Sequence, residues 1–443
     1  MMKINKYIWN EVDADTKAKV MARVQSNFED VEPIAREIVE AVRDRGDKAI
    51  VELTKKIDNI TLDVNSILVT EQEFDDAEKL VSDELRQAMQ DAHDNIASHH
   101  KDQMPPPSWM KENTPGVIAG EKVTPIASVG LYVPRGKGSF PSVMLMLCTP
   151  AVISGVKNIS VCTPPGPDGK IDAASLVAAR ICGIKTIYKV GGASAIAGFA
   201  YGTETISKVE KIVGPGNQYV SAAKRIVYGI VDPGTPAGPS ESIILADSSA
   251  DPEIVAREWM VEAEHGPDSA ALLVTNSIEL VQKVENIIPA LVQALPEQRR
   301  NFVKTVFSGY GGIVITETFE ESIDFVNEWA PEHLRVIASE PLRFLPQIVH
   351  AGEILLGDYA CIPFGNFSIG LNAILPTGGG ARRDSCVNVE TFLKRSSFAF
   401  VSAQGAVNIG PIAVTMAQWE GFPAHENSAQ YVIDKALEEI KNS

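Results

Sequence analysis

The chain has 443 residues, of which 45% are hydrophobic, 22% charged and 7% aromatic, and its formal net charge is −17. At roughly 100–200 residues per domain, this length predicts two to four globular domains, and the composition excludes a disordered or collagen-like chain. So acidic a protein lacks the positive surface of a nucleic-acid-binding protein and is repelled by anionic membranes. The five cysteines contain no CxxC pair, which argues against a disulfide framework and favours a reducing cytosol.

No segment resembles a targeting signal or a membrane anchor. Residues 1–17 carry charges throughout and contain no apolar stretch of signal-peptide length. The most apolar run, residues 143–156, contains polar residues and a proline and is shorter than the ~20 residues that a membrane span requires. We therefore expect a soluble cytoplasmic protein.

The first hundred residues have a helical pattern. Apolar residues recur every fourth position after Pro33 until Gly46 ends the pattern. The sequence TEQE at residues 70–73 is a capping box, and it opens a charged helical stretch that reaches about His100. Residues 104–112, MPPPSWMKE, are typical of a proline-rich connector.

Short β-rich runs alternate with helical patterns in the middle of the chain, which predicts parallel βα units in two α/β domains. The first series of strands is expected at residues 127–133, 159–162, 186–190 and 211–213, with helices at about 173–181 and 217–228. The second series is expected at residues 242–246, 271–275, 312–316, 335–338 and 353–356. The last ~50 residues are predicted to form a helical tail.

Seven histidines are present, and four of them are expected at the surface. Three lie in a highly charged helix and one in a loop; they are His93, His99, His100 and His350. That leaves His265, His333 and His425 as candidates for chemistry.

Glu262 and His265 are three residues apart, so a helix would place a carboxylate and an imidazole on one face. Gly266 and Pro267 end the helix there and leave His265 near an opening. A metal site and a polar helix end capped by histidine are both compatible with this pattern.

Glu332 and His333 are adjacent, just before the strand predicted at 335–338. Together they supply two titrating groups to one place, as general acid–base catalysis requires, because histidine titrates near neutral pH. The alternative is a surface turn.

Two glycine-rich loops, residues 190–194 and 213–219, each follow a predicted strand and precede a helix. Backbone N–H groups at such a helix start can hold a phosphate, although neither loop has the GxGxxG spacing of a dinucleotide site. Tight strand-to-helix turns explain the same glycines. Cys148 lies in an apolar run without a neighbouring base, so we expect it to be buried rather than reactive.

Taken together, several stretches in order resemble the histidinol dehydrogenase family. They are GLYVPRGKGSFPSVMLMLCTPAVISGV (130–156), VGGASAIAGFAYGT (190–203), KIVGPGNQYVSAAKRIVYG (211–229), AGPSESIILAD (237–247), EAEHGPDSAALLVT (262–275), WAPEHLRV (329–336), LNAILPTGGGARRD (371–384) and FLKRSS (392–397). The resemblance implies a homodimeric enzyme that uses zinc and NAD and oxidises a primary alcohol through an aldehyde to a carboxylate. It also implies two incomplete Rossmann-like α/β domains and a C-terminal tail that completes the partner's site.

The resemblance assigns roles to individual residues. It implies Glu332 and His333 as the catalytic pair, with His333 taking the alcohol proton and Glu332 activating the water that attacks the aldehyde. It places Tyr132, Ser194 and Asn217 near the cofactor. It places Ser240, Ala373, Arg383 and Glu420 on the substrate side. As zinc ligands it implies Glu262, His265, Asn366 and His425, with His425 supplied by the partner subunit.

Some of these positions depart from the family pattern. Glu262 stands where the family usually has Gln, and Asn366 where it has Asp, so the number of ligand carboxylates stays at one and zinc binding is expected to survive. Ser194 replaces a usual Gln near the cofactor. Ala373 replaces a substrate-side His, which leaves more room and one fewer hydrogen-bond donor. Arg383 is either a contact for an anionic substrate group or a solvated cation.

The resemblance predicts a helical segment at residues 1–24, a first α/β domain from 25–131 and 241–390, a second at 132–240, and a helical tail at 391–443. Because of the departures, the favoured function is oxidation of a small primary alcohol other than histidinol, such as a sulfonated or carboxylated polyol. The alternatives are histidinol dehydrogenase itself and a non-catalytic binding or regulatory relative.

Overall fold

A computed structural model of the chain describes residues 2–23, 28–135, 138–235 and 238–442. Within these ranges, no helix is both long enough and apolar enough to cross a membrane. The contacts divide the chain into two compact units, one of residues 1–103 and 127–392 and the other of residues 104–126 and 393–443. This division differs from the predicted domain boundaries, which stay a prediction.

The strands are β1 (Lys6–Ile8), β2 (Ser108–Thr114), β3 (Val117–Pro125), β4 (Ser128–Tyr132), β5 (Asn158–Cys162), β6 (Ile187–Tyr188), β7 (Lys211–Val213), β8 (Glu241–Ala246), β9 (Ala270–Thr275), β10 (Gly312–Ile315), β11 (His333–Ile337), β12 (Glu353–Leu356) and β13 (Leu393–Val401). The α-helices are α1 (Ala14–Ala22), α2 (Phe28–Arg45), α3 (Asp47–Asp58), α4 (Glu71–Leu80), α5 (Asp83–Asp102), α6 (Pro141–Ile153), α7 (Ala173–Ile181), α8 (Gly192–Tyr201), α9 (Gln218–Ile226), α10 (Pro252–Val261), α11 (Ile278–Ala294), α12 (Glu297–Ser308), α13 (Phe319–Trp329), α14 (Pro341–Phe344), α15 (Ile362–Phe367), α16 (Ala403–Glu420) and α17 (Pro423–Asn442).

Two parallel sheets form the core of the first unit, so the α/β prediction is confirmed. In the described part of the chain, six strands pair in the order β1-β10-β9-β8-β11-β12 and four in the order β6-β5-β4-β7. Strand β8 is buried along its whole length. Burial along a whole strand is expected where helices cover both faces of a parallel sheet.

The N-terminal helices pack beside the four-stranded sheet. Helix α2 contacts α8 and α9, and α4 contacts α7. The capping box at residues 70–73 is confirmed: the Thr70 backbone N–H donates to Glu73 Oε2 at 2.9 Å, and the Glu73 N–H donates to Thr70 Oγ1 at 3.3 Å. The helical stretch that it opens is interrupted, because Ser82 caps a second helix, α5.

The start of α2 and the N-terminal segment differ from the predictions. Helix α2 begins at Phe28 and includes Pro33. The extra turn is stabilised because Val31 is buried against Ala222 of α9. Residues 1–24 are not wholly helical, since β1 extends the six-stranded sheet by pairing with β10.

The second unit contains strands that the sequence analysis missed. Strands β13, β3 and β2 form an antiparallel sheet, and α16 packs on α17. The predicted connector at 104–112 therefore contains the start of β2, and the tail predicted as helical from 391 opens with β13. Strand β13 pairs with β3 across more than 260 residues of sequence. A contact between such distant residues cannot be predicted from the local pattern of apolar residues.

Candidate active site

The candidate pair Glu332 and His333 lies at the edge of the sheet that is formed by the amino ends of β8, β11 and β12. These strands begin with Glu241, His333 and Glu353, respectively. Because the strands are parallel and in register, His333 stands opposite Ser242 on one side and Glu353 on the other. The sheet therefore brings three titratable side chains from distant parts of the sequence to one edge.

Glu332 and His333 are both buried, which contradicts the surface-turn alternative. They are 8% and 4% exposed. The imidazole Nδ1 of His333 lies 2.9 Å from Glu353 Oε2, and its Nε2 lies 4.0 Å from Glu332 Oε1. The other carboxylate oxygen of Glu332 accepts a hydrogen bond from the backbone N–H of Glu241 at 2.7 Å. The pair is thus fixed in place, with Nε2 turned toward the Glu332 carboxyl.

The electrostatics of this pair reflect an excess of carboxylates. Burial raises the pKa of Glu332 to about 8, and the charges of Glu262 and Glu241 act in the same direction. Burial lowers the pKa of His333, but the charge of Glu262 and the hydrogen bond to Glu353 outweigh it, and the pKa rises to about 10. Such strongly perturbed groups at a buried edge are typical of functional sites, and the surplus negative charge favours a bound cation.

Glu262 lies in the short 3₁₀ turn Glu262–Glu264 that ends α10. Its side chain is 1% exposed, and neither carboxylate oxygen has a hydrogen-bond partner. His265 Nδ1 lies 3.1 Å from Glu262 Oε2 and 3.0 Å from Ser240 Oγ, while the imidazole is half-exposed. The structure therefore brings Glu262, His265 and Ser240 together.

Asn366 lies on α15, and its Oδ1 is also buried without a hydrogen-bond partner. A buried carboxylate and a buried amide oxygen without hydrogen bonds each cost stability, and coordination to a divalent cation would offset that cost. Within the described ranges, no three His, Cys, Asp or Glu side chains form a metal-binding group. A metal at Glu262 and His265 therefore needs an amide oxygen or a further ligand, and the chemistry of these residues fits zinc.

The cofactor candidates lie at the carboxyl ends of the strands of the four-stranded sheet. The Tyr132 hydroxyl accepts a hydrogen bond from the Gly192 backbone N–H at 3.0 Å, and burial raises its pKa to about 12. Asn217 caps α9 by accepting from two backbone N–H groups at 3.0 and 3.1 Å. Gly214 has a φ of +135°, and a Cβ there would lie 2.1 Å from the Tyr132 carbonyl oxygen. Ser194, on α8, is buried.

The segment before the sequence Leu375-Pro376-Thr377 is anchored by Asn372. Its amide donates to the Met146 carbonyl at 2.7 Å and lies 3.3 Å from His100 Nε2. The prediction that His100 is solvated is therefore wrong: it is fully buried, because residues 272 positions away cover that face of α5. Ala373, next in sequence, is half-buried. Cys148 is fully buried, as predicted.

The remaining candidates are Arg383, Glu420 and His425. The Arg383 side chain is 72% exposed and pairs with Asp384, as a solvated cation would. Glu420 and His425 belong to the second unit, where they line an apolar groove of about 740 Å³ between α16 and α17. The two are exposed there.

Several buried charges around this edge were missed by the sequence analysis. Arg23 pairs with Glu241 at 2.9 Å and stacks on the Trp329 ring at 3.7 Å. Arg335 pairs with Glu258 at 3.3 Å, and Glu258 also accepts from the first N–H of α15 at 2.9 Å. The sequence did contain a sign of the Arg335–Glu258 pair, because an arginine within the apolar strand HLRVI requires a buried partner.

Replacing Arg335 by methionine is expected to lower the free energy of unfolding by about 3–5 kcal/mol, because it leaves Glu258 buried without its counter-ion. The matched control is Arg257→Met on α10, since Arg257 forms an exposed pair with Glu253 and is expected to cost less than about 1 kcal/mol. Urea unfolding measures both. Equal losses for the two variants would contradict the importance of the buried pair.

Comparison with known proteins identifies the fold and the class. The family model described as histidinol dehydrogenase matches residues 21–432. The histidinol dehydrogenase of Synechocystis sp. is 48% identical over 403 residues, covering 91% of this chain and 93% of that protein. The Colwellia psychrerythraea protein named histidinol dehydrogenase homolog is 44% identical over 433 residues, covering 98% and 97%. The crystal structure of histidinol dehydrogenase from Elizabethkingia anophelis has a TM-score of 0.92 at 36% identity and covers 98% of both chains.

These matches define an NAD-dependent oxidoreductase that acts on a CH–OH group. The chain belongs to the histidinol dehydrogenase family, whose members generally use NAD and zinc.

Proposed function

We propose that the chain oxidises a small primary alcohol through an aldehyde to a carboxylate, with NAD and zinc, at the edge formed by β8, β11 and β12. The observation that supports this most directly is the buried Glu332–His333 pair together with the buried carboxylate of Glu262, neither oxygen of which accepts a hydrogen bond. A binding or regulatory relative has no need for two buried, strongly perturbed titrating groups at one place, so the non-catalytic alternative is disfavoured.

His333 is proposed to act as the base in the first oxidation, in its neutral form, because a bound zinc ion would offset the charge of Glu262, the largest of the causes that raise the pKa of His333 to about 10. Its Nδ1 is engaged by Glu353, so Nε2 is the nitrogen that can accept the proton of an alcohol oxygen. NAD, when bound, accepts the hydride from the carbon atom. Tyr132, Ser194 and Asn217 are proposed to line the cofactor side, near the starts of α8 and α9, where backbone N–H groups favour phosphates.

Glu332 is proposed to serve the second oxidation. Its Oε2 is held by a backbone N–H at 2.7 Å, whereas Oε1 is available to take a proton from the water that attacks the aldehyde. The burial that raises its pKa also makes the carboxylate a stronger base than an exposed glutamate.

Glu262, His265 and Asn366, with His425 of the partner subunit, are proposed to hold the zinc ion. Zinc, when bound, polarises the substrate oxygen as a Lewis acid. Ser240 and Glu420 are proposed to contact the substrate. The exposed groove that carries Glu420 and His425 supports a shared site in a homodimer, because an exposed apolar surface favours a protein partner and this one is lined by two of the candidate side chains.

Zinc binding is expected to depend on the number of ligand carboxylates. Glu262→Gln leaves the site with two amides and should weaken zinc binding at least about tenfold, or 1.4 kcal/mol. The double variant Glu262→Gln/Asn366→Asp restores one carboxylate and should recover it. Competition titration with a chelator measures the affinity, and Glu264→Gln, two residues away, is the control. If the single variant Glu262→Gln binds zinc as tightly as the unaltered protein, the ligand assignment is wrong.

The substrate is proposed to be an alcohol other than histidinol. Ala373 supplies no donor where the resemblance implies an imidazole, which enlarges the pocket and removes one hydrogen bond to the substrate. A site that loses a hydrogen-bonding group discriminates weakly in favour of the substrate that needed it. Several relatives, including the one from Rhizobium meliloti, are named histidinol dehydrogenase homolog. Histidinol itself is the second candidate, because the Synechocystis relative carries that name.

A spectrophotometric screen of NADH formation separates these candidates. Histidinol is tested beside sulfonated, carboxylated and neutral diols at equal concentration. The proposal predicts a kcat/KM for one of the other alcohols well above that for histidinol. Activity with histidinol alone identifies the second candidate, and activity with none of these alcohols contradicts the catalytic proposal.

A further inference from the structure

Glu353 is a buried carboxylate at the start of β12, and it is 6% exposed. Its Oε2 lies 2.9 Å from His333 Nδ1. In the described part of the chain, no other side chain hydrogen-bonds the imidazole ring of His333. The contact follows from the sheet, because register places Glu353 directly opposite His333.

The second carboxylate oxygen of Glu353 lowers the stability of the folded protein. Oε1 is buried and has no hydrogen-bond partner. It also fills the space beside Gly365, where a Cβ would lie 2.6 Å from it. An unpaired buried carboxylate oxygen costs stability, so packing does not explain why a glutamate stands here. Groups that are retained against stability are expected at functional sites.

In the part of the chain that the structure describes, the charged groups that pair with the His333 ring or act on it are carboxylates. Glu332 Oε1 lies 4.0 Å from Nε2. The charge of Glu262 raises the pKa of His333, and the charge of His333 lowers the pKa of Glu241. Among the described residues, Glu353 is the one that hydrogen-bonds Nδ1. A carboxylate at Nδ1 fixes the orientation of the ring, leaves Nε2 for the substrate and stabilises the positive charge that forms when Nε2 takes a proton.

We propose that Glu353 is the positioning residue for His333, holding the imidazole through Nδ1–H so that Nε2 faces the alcohol. The proposal rests on the proposed role of His333 as the base. During alcohol oxidation the O–H bond breaks, its proton moves to Nε2, and the C–H bond breaks as the hydride leaves for NAD. Glu353 keeps its own charge throughout and forms no bond to the substrate.

Proton NMR of protein labelled with ¹⁵N at histidine tests the contact without any substrate. An imidazole N–H donated to a carboxylate resonates far downfield and exchanges slowly with water. His333→Asn assigns this resonance by removing it. We expect Glu353→Gln to abolish it or move it upfield, and Glu258→Gln, which removes a buried carboxylate that does not touch His333, to retain it.

Steady-state kinetics test the consequence. Glu353→Gln is expected to lower kcat for the alcohol about 10²-fold with little change in KM, because ring orientation matters in the transition state rather than in ground-state binding. Glu353→Asp keeps a carboxylate on a shorter side chain and should recover part of both the resonance and kcat. It also covers the case in which the glutamine variant unfolds.

Two results would overturn the inference. One is an unchanged downfield resonance in folded Glu353→Gln, and the other is an unchanged kcat in that variant while His333→Asn is slow. A normal kcat in the His333→Asn variant is a different result: it rejects His333 as the base, and with it the proposed function, rather than the contact with Glu353 alone.

Discussion

Replacement of His333 by asparagine is expected to lower the rate of alcohol oxidation about 10²–10⁴-fold, the range over which a positioned general base accelerates proton transfer. Asparagine keeps a polar side chain of similar size beside Glu353 but cannot take a proton at neutral pH. Stopped-flow detection of NADH in a single turnover measures the step directly. Oxidation of added aldehyde should fall much less, because the second step relies on Glu332.

His350→Asn is the control for this variant, since His350 lies in the loop before β12, where its backbone N–H donates to Asn327 Oδ1 at 3.4 Å. A thermal unfolding curve separates loss of catalysis from loss of fold. Alcohol oxidation at the unaltered rate in a folded His333→Asn protein would reject His333 as the base.

Glu332→Gln is expected to slow oxidation of the aldehyde about 10²–10⁴-fold and to slow oxidation of the alcohol less. Glutamine still accepts the Glu241 N–H that Glu332 accepts at 2.7 Å, so the local structure should persist. What is lost is the group that takes a proton from water. With the alcohol as substrate, the variant should therefore form NADH in the first step and accumulate the aldehyde, which a trapping reagent such as semicarbazide reports.

The control for this second variant is Glu328→Gln, which alters an exposed carboxylate at the end of α13. It should convert alcohol and aldehyde at unaltered rates. Aldehyde oxidation at the normal rate in Glu332→Gln would show that another group activates the water.

The parts of this structure that follow from local sequence were predictable. The capping box at residues 70–73 and the βα alternation depend on neighbouring residues, so both were found. The adjacency of Glu332 and His333 was likewise visible in the sequence. Their burial was not, because it depends on β11 lying between β8 and β12 in the sheet.

The residues that were missed are those whose role is defined by pairing across the sequence. Glu353 is an ordinary strand-start glutamate until the parallel register sets it opposite His333. His100 looked solvated in a charged helix, yet Asn372 covers it from 272 positions away. Strand β13 was absorbed into the helical tail because its partner, β3, is equally distant.

Carbon and cofactor balance is the most direct measurement of the central claim, that one site carries an alcohol through two successive oxidations. Purified protein is given a limiting amount of its best alcohol substrate with excess NAD, and NADH and products are quantified at completion. The account predicts two NADH per alcohol and the carboxylate as the product. One NADH per alcohol with free aldehyde as the end product would contradict it.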